Sequence, residues 1–180
     1  FAGLLALYAA CRAHHPRAFA EGVTHATRVL GAINTAVLLT SSYAVAASVH
    51  ALRRGRRALS LALLGITIAM GAGFLAIKFT EYAQHLHEGI EPGGRGHFFA
   101  AHTEPGLATF WTLYYATTGL HAVHVAVGVF VLAWLWARVA FGRPDDTARS
   151  LPLGATYWHF VDLVWIFVWP LYYLLGSAAP

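Results

Sequence analysis

The sequence has few charged residues and almost no cysteine. Twelve basic and eight acidic side chains make up 11% of the 180 residues, whereas soluble domains carry about a quarter. With 58% hydrophobic residues and a mean hydropathy of +0.56, this shortage excludes a disordered chain and argues against an ordinary water-soluble enzyme. Cys11 is the single cysteine, which excludes an internal disulfide and a cysteine-based metal site. The class that remains is a polytopic membrane protein.

Long apolar runs predict an all-α fold, a bundle of transmembrane helices in a single domain over residues 1–180. A bilayer core about 30 Å thick needs about 20 apolar helical residues, and four runs meet that length. A fifth run is too short, and we interpret it as the end of a helix whose start precedes Phe1. The five predicted spans are residues 1–11 (partial), 29–49, 58–82, 107–139 and 153–175.

The arginines set the predicted orientation of these helices. Basic residues favour the cytoplasmic side of a membrane, so we expect the second-to-third and fourth-to-fifth connections in the cytoplasm and the C-terminus outside. An arginine cluster beside an apolar span is typical of a topology determinant or of a contact with anionic lipid headgroups, rather than of a nucleic-acid site. The two groups are Arg53, Arg54, Arg56, Arg57 and Arg138, Arg143, Arg149.

Four ionisable residues lie deep within predicted spans, where such groups are costly and often functional. His121 and His124 share one helix face, and His159 and Asp162 share another, because residues three apart are neighbours on a helix. The helical rise places the two pairs at neighbouring depths. Histidine and aspartate ligate zinc, iron and copper, so the residues alone leave three interpretations open. These are a metal or haem site, an interhelical polar network and a proton relay.

A second polar group is expected at the outer end of the third span. Lys78 and Glu81 are three residues apart on that helix, which predicts an ion pair near the outer boundary of the bilayer. Such a pair is usually structural, and substrate binding is the alternative.

Small residues within the spans predict where helices approach one another. Gly31, Gly71, Gly73 and Gly119 are candidate contact points. The alternative is that glycine is simply frequent in membrane helices.

Four ordered stretches resemble subunit III of the haem–copper cytochrome oxidases. They correspond to the family patterns NTxxLL, EY, TGxHxxHV and WHFVDxVW, and the resemblance covers roughly residues 28–176. Asn34, Thr35, Tyr82, Trp158 and Trp165 are among the motif residues. The stretches are Asn34-Thr35-Ala36-Val37-Leu38-Leu39, Glu81-Tyr82, Thr118-Gly119-Leu120-His121-Ala122-Val123-His124-Val125 and Tyr157-Trp158-His159-Phe160-Val161-Asp162-Leu163-Val164-Trp165.

The resemblance implies a multi-pass, non-catalytic subunit of a bacterial respiratory oxidase in the cytoplasmic (inner) membrane. Members of this family have no cofactor of their own, since haem and copper belong to partner subunits. They pack against subunit I, bind phospholipid in a cleft, and support proton uptake and stability during turnover. The resemblance therefore implies that the deep histidines and Asp162 make contacts between helices, and that no residue of this chain is catalytic or binds a metal.

Two features separate this chain from the full family pattern. The family's glutamate in the first of these five helices would precede Phe1, so no role is assigned to it here. A related branch accompanies nitric oxide reductases, and the stretch Leu39-Thr40-Ser41-Ser42 is compatible with that branch. An independent membrane metal or haem protein is the third functional hypothesis.

Overall fold

The structure is a computed structural model that describes residues 1–26, 28–142 and 144–174, with side chains throughout except at residues 144–148. Within these ranges the chain forms seven α-helices and no β-strand. Two parts of the sequence predictions, Arg143 and the end of the last span at residue 175, lie outside the described residues. The helices are α1 (Ala2–His14), α2 (Pro16–His25), α3 (Arg28–Arg53), α4 (Arg57–His87), α5 (Phe98–Ala101), α6 (Leu107–Phe141) and α7 (Pro144–Tyr173).

The predicted fold class, an all-α transmembrane bundle, is confirmed. Helices α3, α4, α6 and the Arg149–Tyr173 part of α7 are long and apolar enough to cross a membrane. Helix α1 corresponds to the predicted partial span. The predicted count of five helices omits α2 and α5, because α2 is short and has a polar face and α5 is a single turn.

The long helices extend beyond the predicted spans. Helix α4 continues to His87 rather than ending near residue 82, and α7 begins at Pro144 rather than near residue 153. Helical hydrogen bonds do not depend on the hydropathy that set the predicted bounds. The end of α4 is fixed instead by Gly89 at φ 77°, where the amide of Ile90 donates to the carbonyl of His85 over 2.9 Å, as in a Schellman motif.

The four long helices form a closed ring. Helix α3 packs against α4 and α7, and α6 packs against the same two helices. Helices α1 and α2 pack against α6 on the outside of the ring. They share an aromatic cluster in which Tyr8 lies between Phe19 and Tyr172. The Tyr8 hydroxyl also donates to the carbonyl of Leu171 over 2.5 Å, which ties α1 to the end of α7.

Trp158 of α7 contacts each of the other three helices in the ring. Its indole N–H donates to the Ser41 hydroxyl of α3 over 2.9 Å. A methyl group added at Gly71 of α4 would lie 2.6 Å from Cη2 of this ring, and one at Gly128 of α6 would lie 2.8 Å from Cε3. The prediction of a helix contact is therefore confirmed at Gly71 and wrong at Gly73, where an added methyl group would meet nothing within 4 Å.

Arg57 joins the start of α4 to the end of α6. Its Nε donates to the carbonyl of Val139 and its Nη2 to the carbonyl of Ala140, both over 2.8 Å. The last carbonyls of a helix lack intrahelical donors and carry partial negative charge. All four arginines of the connection are exposed, and Arg57 differs from the others in acting as a C-terminal cap for α6.

We predict that Gly71→Ala and Gly128→Ala each lower the free energy of unfolding by about 1–3 kcal/mol, because overpacking displaces the fixed Trp158 ring. Gly73→Ala is the matched control, and we expect it to leave stability unchanged or to raise it by up to about 1 kcal/mol, because alanine is favoured over glycine within a helix. Unfolding in detergent, followed by tryptophan fluorescence, measures all three variants. Equal effects at Gly71 and Gly73 would contradict this account of the packing.

We predict that Arg57→Gln destabilises the protein by about 1–2 kcal/mol, because the last carbonyls of α6 lose two charge-assisted hydrogen bonds. Arg56→Gln removes the same charge from the same connection without touching α6, so its effect should be within about 0.5 kcal/mol of zero. The unfolding assay compares the two variants directly. If they are indistinguishable, the capping interaction contributes nothing measurable.

Candidate functional site

A closed group of polar side chains lies within the ring, where α4, α6 and α7 meet. It consists of Lys78, Glu81, Tyr114 and Tyr173, which we call the lysine cluster. Lys78 is the only lysine of the sequence. The charged side chains of Lys78 and Glu81 are both buried, with exposures of 1% and 0%. The side chains of Tyr114 and Tyr173 are buried to the same extent.

The ammonium of Lys78 has three partners for its three N–H groups. Nζ lies 3.0 Å from Glu81 Oε2, 2.8 Å from the Tyr114 hydroxyl oxygen and 2.6 Å from that of Tyr173. Lysine has three donors and no acceptor, so the whole donor capacity of Lys78 is used within the cluster.

Glu81 completes the cluster through its second carboxylate oxygen. The Tyr114 hydroxyl donates to Oε1 over 2.8 Å, and the Tyr173 hydroxyl donates to the same atom over 2.7 Å. Each tyrosine thus accepts from the lysine and donates to the glutamate. Removing two charges from water is costly unless each is paired and hydrogen-bonded, and this arrangement supplies both conditions.

Aromatic rings enclose the lysine on its remaining sides. The faces of Tyr82, Tyr114, Tyr173 and Trp165 have their centroids 4.7–5.6 Å from Nζ. Rings at this distance attract a cation through their quadrupoles. The cluster therefore gives the buried ammonium an acceptor for each N–H group and aromatic faces around it.

The spacing of the sequence builds the cluster locally. Lys78 and Glu81 are three residues apart on α4 and face the inside of the ring. Tyr114 comes from α6 and Tyr173 from the last residue of α7. One ion pair within a helix is thereby converted into a link among three helices.

The four deep residues predicted from the sequence do not form one hydrogen-bonded group. His159 Nδ1 lies 2.5 Å from the Ser42 hydroxyl of α3, and His124 Nδ1 lies 2.8 Å from the Leu120 carbonyl of its own helix. The ring nitrogens of His121 and the carboxylate oxygens of Asp162 have no hydrogen-bond partner of ordinary geometry among the described residues. The Ser42–His159 bond is interhelical, and a role of the four residues in assembly stays a prediction.

Instead of polar partners, the buried His121 ring has aromatic neighbours. The Trp165 ring lies 4.9 Å away at 30°, and Phe74 meets the imidazole edge-on at 5.5 Å. The position of His121 is therefore determined by packing, not by the hydrogen bonds expected from the sequence.

The motif tryptophans and Thr35 form hydrogen bonds between α7 and α3. Trp165 Nε1 donates to Thr35 Oγ1 over 3.1 Å, one to two turns along the pair from the bond of Trp158 to Ser41. Tyr82 makes the corresponding link from α4 to α6, where its hydroxyl lies 2.6 Å from Thr118 Oγ1. Asn34 is also buried, but both atoms of its amide lack a partner among the described residues.

Sequence reasoning missed Tyr114 and Tyr173 as partners of the ion pair. Both tyrosines are fully buried. The signal that identifies both residues is the donor count of lysine: a lysine within a span needs three acceptors, and Glu81 satisfies only part of that need.

This arrangement favours a structural role for the lysine cluster. All four residues are shielded from solvent. A substrate or a relay would require the ring of helices to open, which breaks bonds among three helices. The geometry is that of a link between helices.

The comparison with known families gives one match over most of the chain. A family model described as Cytochrome c oxidase subunit III matches residues 23–177, a range that includes all four long helices and the lysine cluster.

Individual relatives are oxidase subunits from several bacteria. Quinol oxidase subunit 3 of Bacillus spizizenii is 31% identical over 145 residues, which is 80% of this chain and 65% of the relative. Cytochrome bo(3) ubiquinol oxidase subunit 3 of Pseudomonas aeruginosa is 29% identical over 98% of this chain and 78% of the relative. Cytochrome c oxidase subunit 3 of a Synechocystis species is 32% identical over 97% of this chain and 69% of the relative. The chain thus spans about two thirds of the length of such relatives.

We predict that the two charges of the lysine cluster are strongly coupled. Lys78→Met and Glu81→Gln should each cost about 3–5 kcal/mol, because each leaves a buried group without its partner. The double variant should cost at least about 2 kcal/mol less than the sum of the single variants. Unfolding in mixed micelles measures the cycle.

Glu88→Gln provides the matched control for this cycle. It removes an exposed acid at the end of the same helix, and we expect a change below about 0.5 kcal/mol. Additive effects of Lys78→Met and Glu81→Gln would show that the two side chains do not stabilise the protein as a pair.

Proposed function

Because the chain belongs to the cytochrome c oxidase subunit III family, we propose that it is a non-catalytic subunit of a bacterial haem–copper respiratory oxidase. The observation that carries the proposal is the family match over residues 23–177. In this proposal, the chain has no haem or copper of its own, and partner subunits hold both and carry out the redox reaction.

The use of the buried polar groups supports a non-catalytic role. The lysine cluster and the Ser41–Trp158, Ser42–His159 and Thr118–Tyr82 pairs each link one helix to another. A catalytic site needs reactive groups that a substrate can reach, whereas these groups are already bonded to each other. The buried polar groups of the bundle thus serve to hold the helices together.

The outside of the ring supports association with a partner subunit and with lipid. Large apolar side chains are exposed on the four long helices, including Phe130 at 75% and Trp134 at 51% on α6. On α7 they include Phe160 at 59% and Phe167 at 58%. In a membrane such surfaces contact lipid chains or other helices, and we propose that subunit I covers part of them and phospholipid the rest.

The exposed arginines between α3 and α4 support a contact with lipid headgroups. Arg53, Arg54 and Arg56 are exposed at one end of the ring, and basic groups beside a span attract anionic lipids. We propose that this end faces the cytoplasm of the cell, with the C-terminus outside, in the bacterial inner membrane.

We further propose that the chain supports proton uptake and turnover stability indirectly. A rigid ring of helices packed against subunit I would hold the facing surface of subunit I in place during turnover. The effect belongs to the assembled complex and requires no proton transfer by Lys78 or Glu81.

The test is removal of the chain from the complex. We expect the oxidase purified from a deletion strain to consume oxygen initially but to lose activity after fewer turnovers than the enzyme restored with the wild-type chain. Parallel assays with a quinol and with reduced cytochrome c identify the electron donor. If the chain purifies without a haem–copper partner, or if deletion leaves the rate of inactivation unchanged, the proposal is wrong.

Association with a nitric oxide reductase is the second hypothesis for the complex. The three relatives described above are named as oxidase subunits, which favours oxygen as the acceptor. Nitric oxide consumption by the same preparations distinguishes the two complexes.

A further inference from the structure

A second group of chemistry-bearing side chains lies at the end of the bundle opposite the arginine-rich connection. Glu21 and His25 belong to α2, and His102 directly follows α5. One ligand atom from each of the three residues lies within 4.8 Å of the others, and this is the only group of three or more such residues found in the described part of the chain. Neither the lysine cluster nor the proposed function uses it.

The three residues come from two distant segments of the chain that meet at this place. Glu21 and His25 are four residues apart on α2, so their side chains share a face of that helix. The His25 and His102 rings lie edge to face, with centroids 5.2 Å apart and planes at 84°. The two imidazoles and the carboxylate are brought together by this meeting of the two segments, with their ligand atoms within 4.8 Å of one another.

The hydrogen bond of His102 leaves one ring nitrogen available to a metal. Its Nδ1 lies 3.1 Å from the carbonyl of Phe98, and since a carbonyl only accepts, Nδ1 is the donor, and in the neutral ring Nε2 then has the free lone pair. Metal-binding histidines commonly donate their second ring N–H to a backbone carbonyl in this way. The ring is also stacked on Phe98, with centroids 4.0 Å apart and planes at 12°, which fixes its plane.

The charge and the exposure of the three residues suit a cation from solution. One carboxylate and two imidazoles would leave a divalent ion with one net positive charge, which a bound hydroxide or anion can balance. Glu21 and His102 are partly buried and His25 is exposed, so the group is open to solvent on one side. An ion can reach it without any movement of the ring of helices.

From this geometry we propose that Glu21, His25 and His102 bind a borderline divalent transition-metal ion, with Zn²⁺ as the preferred ion. Two imidazoles and a carboxylate are a known zinc ligand set, and a solvent molecule completes the tetrahedron. Ligand atoms around tetrahedral zinc are about 3.3 Å apart, given bonds of about 2.0 Å. The side chains therefore need to move by about 1–2 Å, a distance that rotation of Glu21 and the exposed His25 supplies.

Zinc bound here would join α2 to the connection between α4 and α6. The described contacts between these two parts include the edge-on packing of His25 on Phe98, at 5.1 Å between centroids. Coordination bonds would add a stronger link, and the expected consequence is reduced mobility of residues 98–102 rather than a change in the buried ring.

The test is a metal count on the full-length protein, purified in detergent without a histidine tag and with the subunits that accompany it. After equilibrium dialysis against buffered micromolar Zn²⁺, we expect the wild type to retain one zinc equivalent more than His25→Ala or His102→Ala. Glu21→Gln should weaken this binding at least about tenfold, since even partners outside the coordination sphere contribute 10–100-fold.

His87→Ala is the matched control, because it removes an exposed histidine at the end of α4, outside the cluster. We expect it to retain the wild-type amount of zinc. Hydrogen exchange provides a second readout: Zn²⁺ should slow exchange at residues 98–102 in the wild type and in His87→Ala, but not in His102→Ala.

Two outcomes would overturn the zinc proposal. One is equal zinc retention by the wild type and the His25→Ala and His102→Ala variants, which would indicate scattered binding by surface histidines. The other is loss of the same equivalent in His87→Ala. Both outcomes leave the proposed role in a respiratory oxidase unaffected, because that proposal depends on a different experiment.

Discussion

The structure depends on one constraint: a charged group buried among packed helices has no water to bond with. The consequence is clearest at Lys78, whose ammonium would be very costly inside the bundle without partners. Glu81 neutralises the charge, and Tyr114 and Tyr173 bridge from the lysine to the glutamate. Because the partners come from three helices, satisfying one charge also fixes how those helices are arranged.

The same principle applies along α7, which supplies two indole N–H donors that bond to a neighbouring helix. Trp158 and Trp165 each bond to a hydroxyl of α3, and both rings pack against α4 and α6 as well. Trp158 fits because Gly71 and Gly128 leave room for an indole between helices. A large residue paired with glycines on its neighbours gives close packing where no hydrophobic effect drives association between helices. The stretch from Trp158 to Trp165 is thus the part of the sequence through which α7 holds the other three helices together.

The sequence could predict the features that depend on a single helix. Apolar runs identified the four spans, and the spacing of Lys78 and Glu81 placed their side chains on one face. The features that escaped prediction need the relative positions of two or more helices, as with Tyr114, Tyr173 and the aromatic surroundings of His121. Helix α2 escaped prediction for another reason: it is short and partly polar, as a connecting loop would be. The signal that could have found it is Pro16, because proline is common in the first turn of a helix.

The most direct test of this account uses the fact that Lys78 is the only lysine. Labelling lysine with ¹⁵N and tyrosine with ¹³C at Cζ gives a single ammonium signal in solid-state NMR of the protein in lipid. The account predicts a protonated Nζ that exchanges slowly with water and has strong dipolar contacts to Cζ of two tyrosines. A neutral or rapidly exchanging amine without tyrosine contacts would contradict the claim that the lysine cluster holds the ring of helices together.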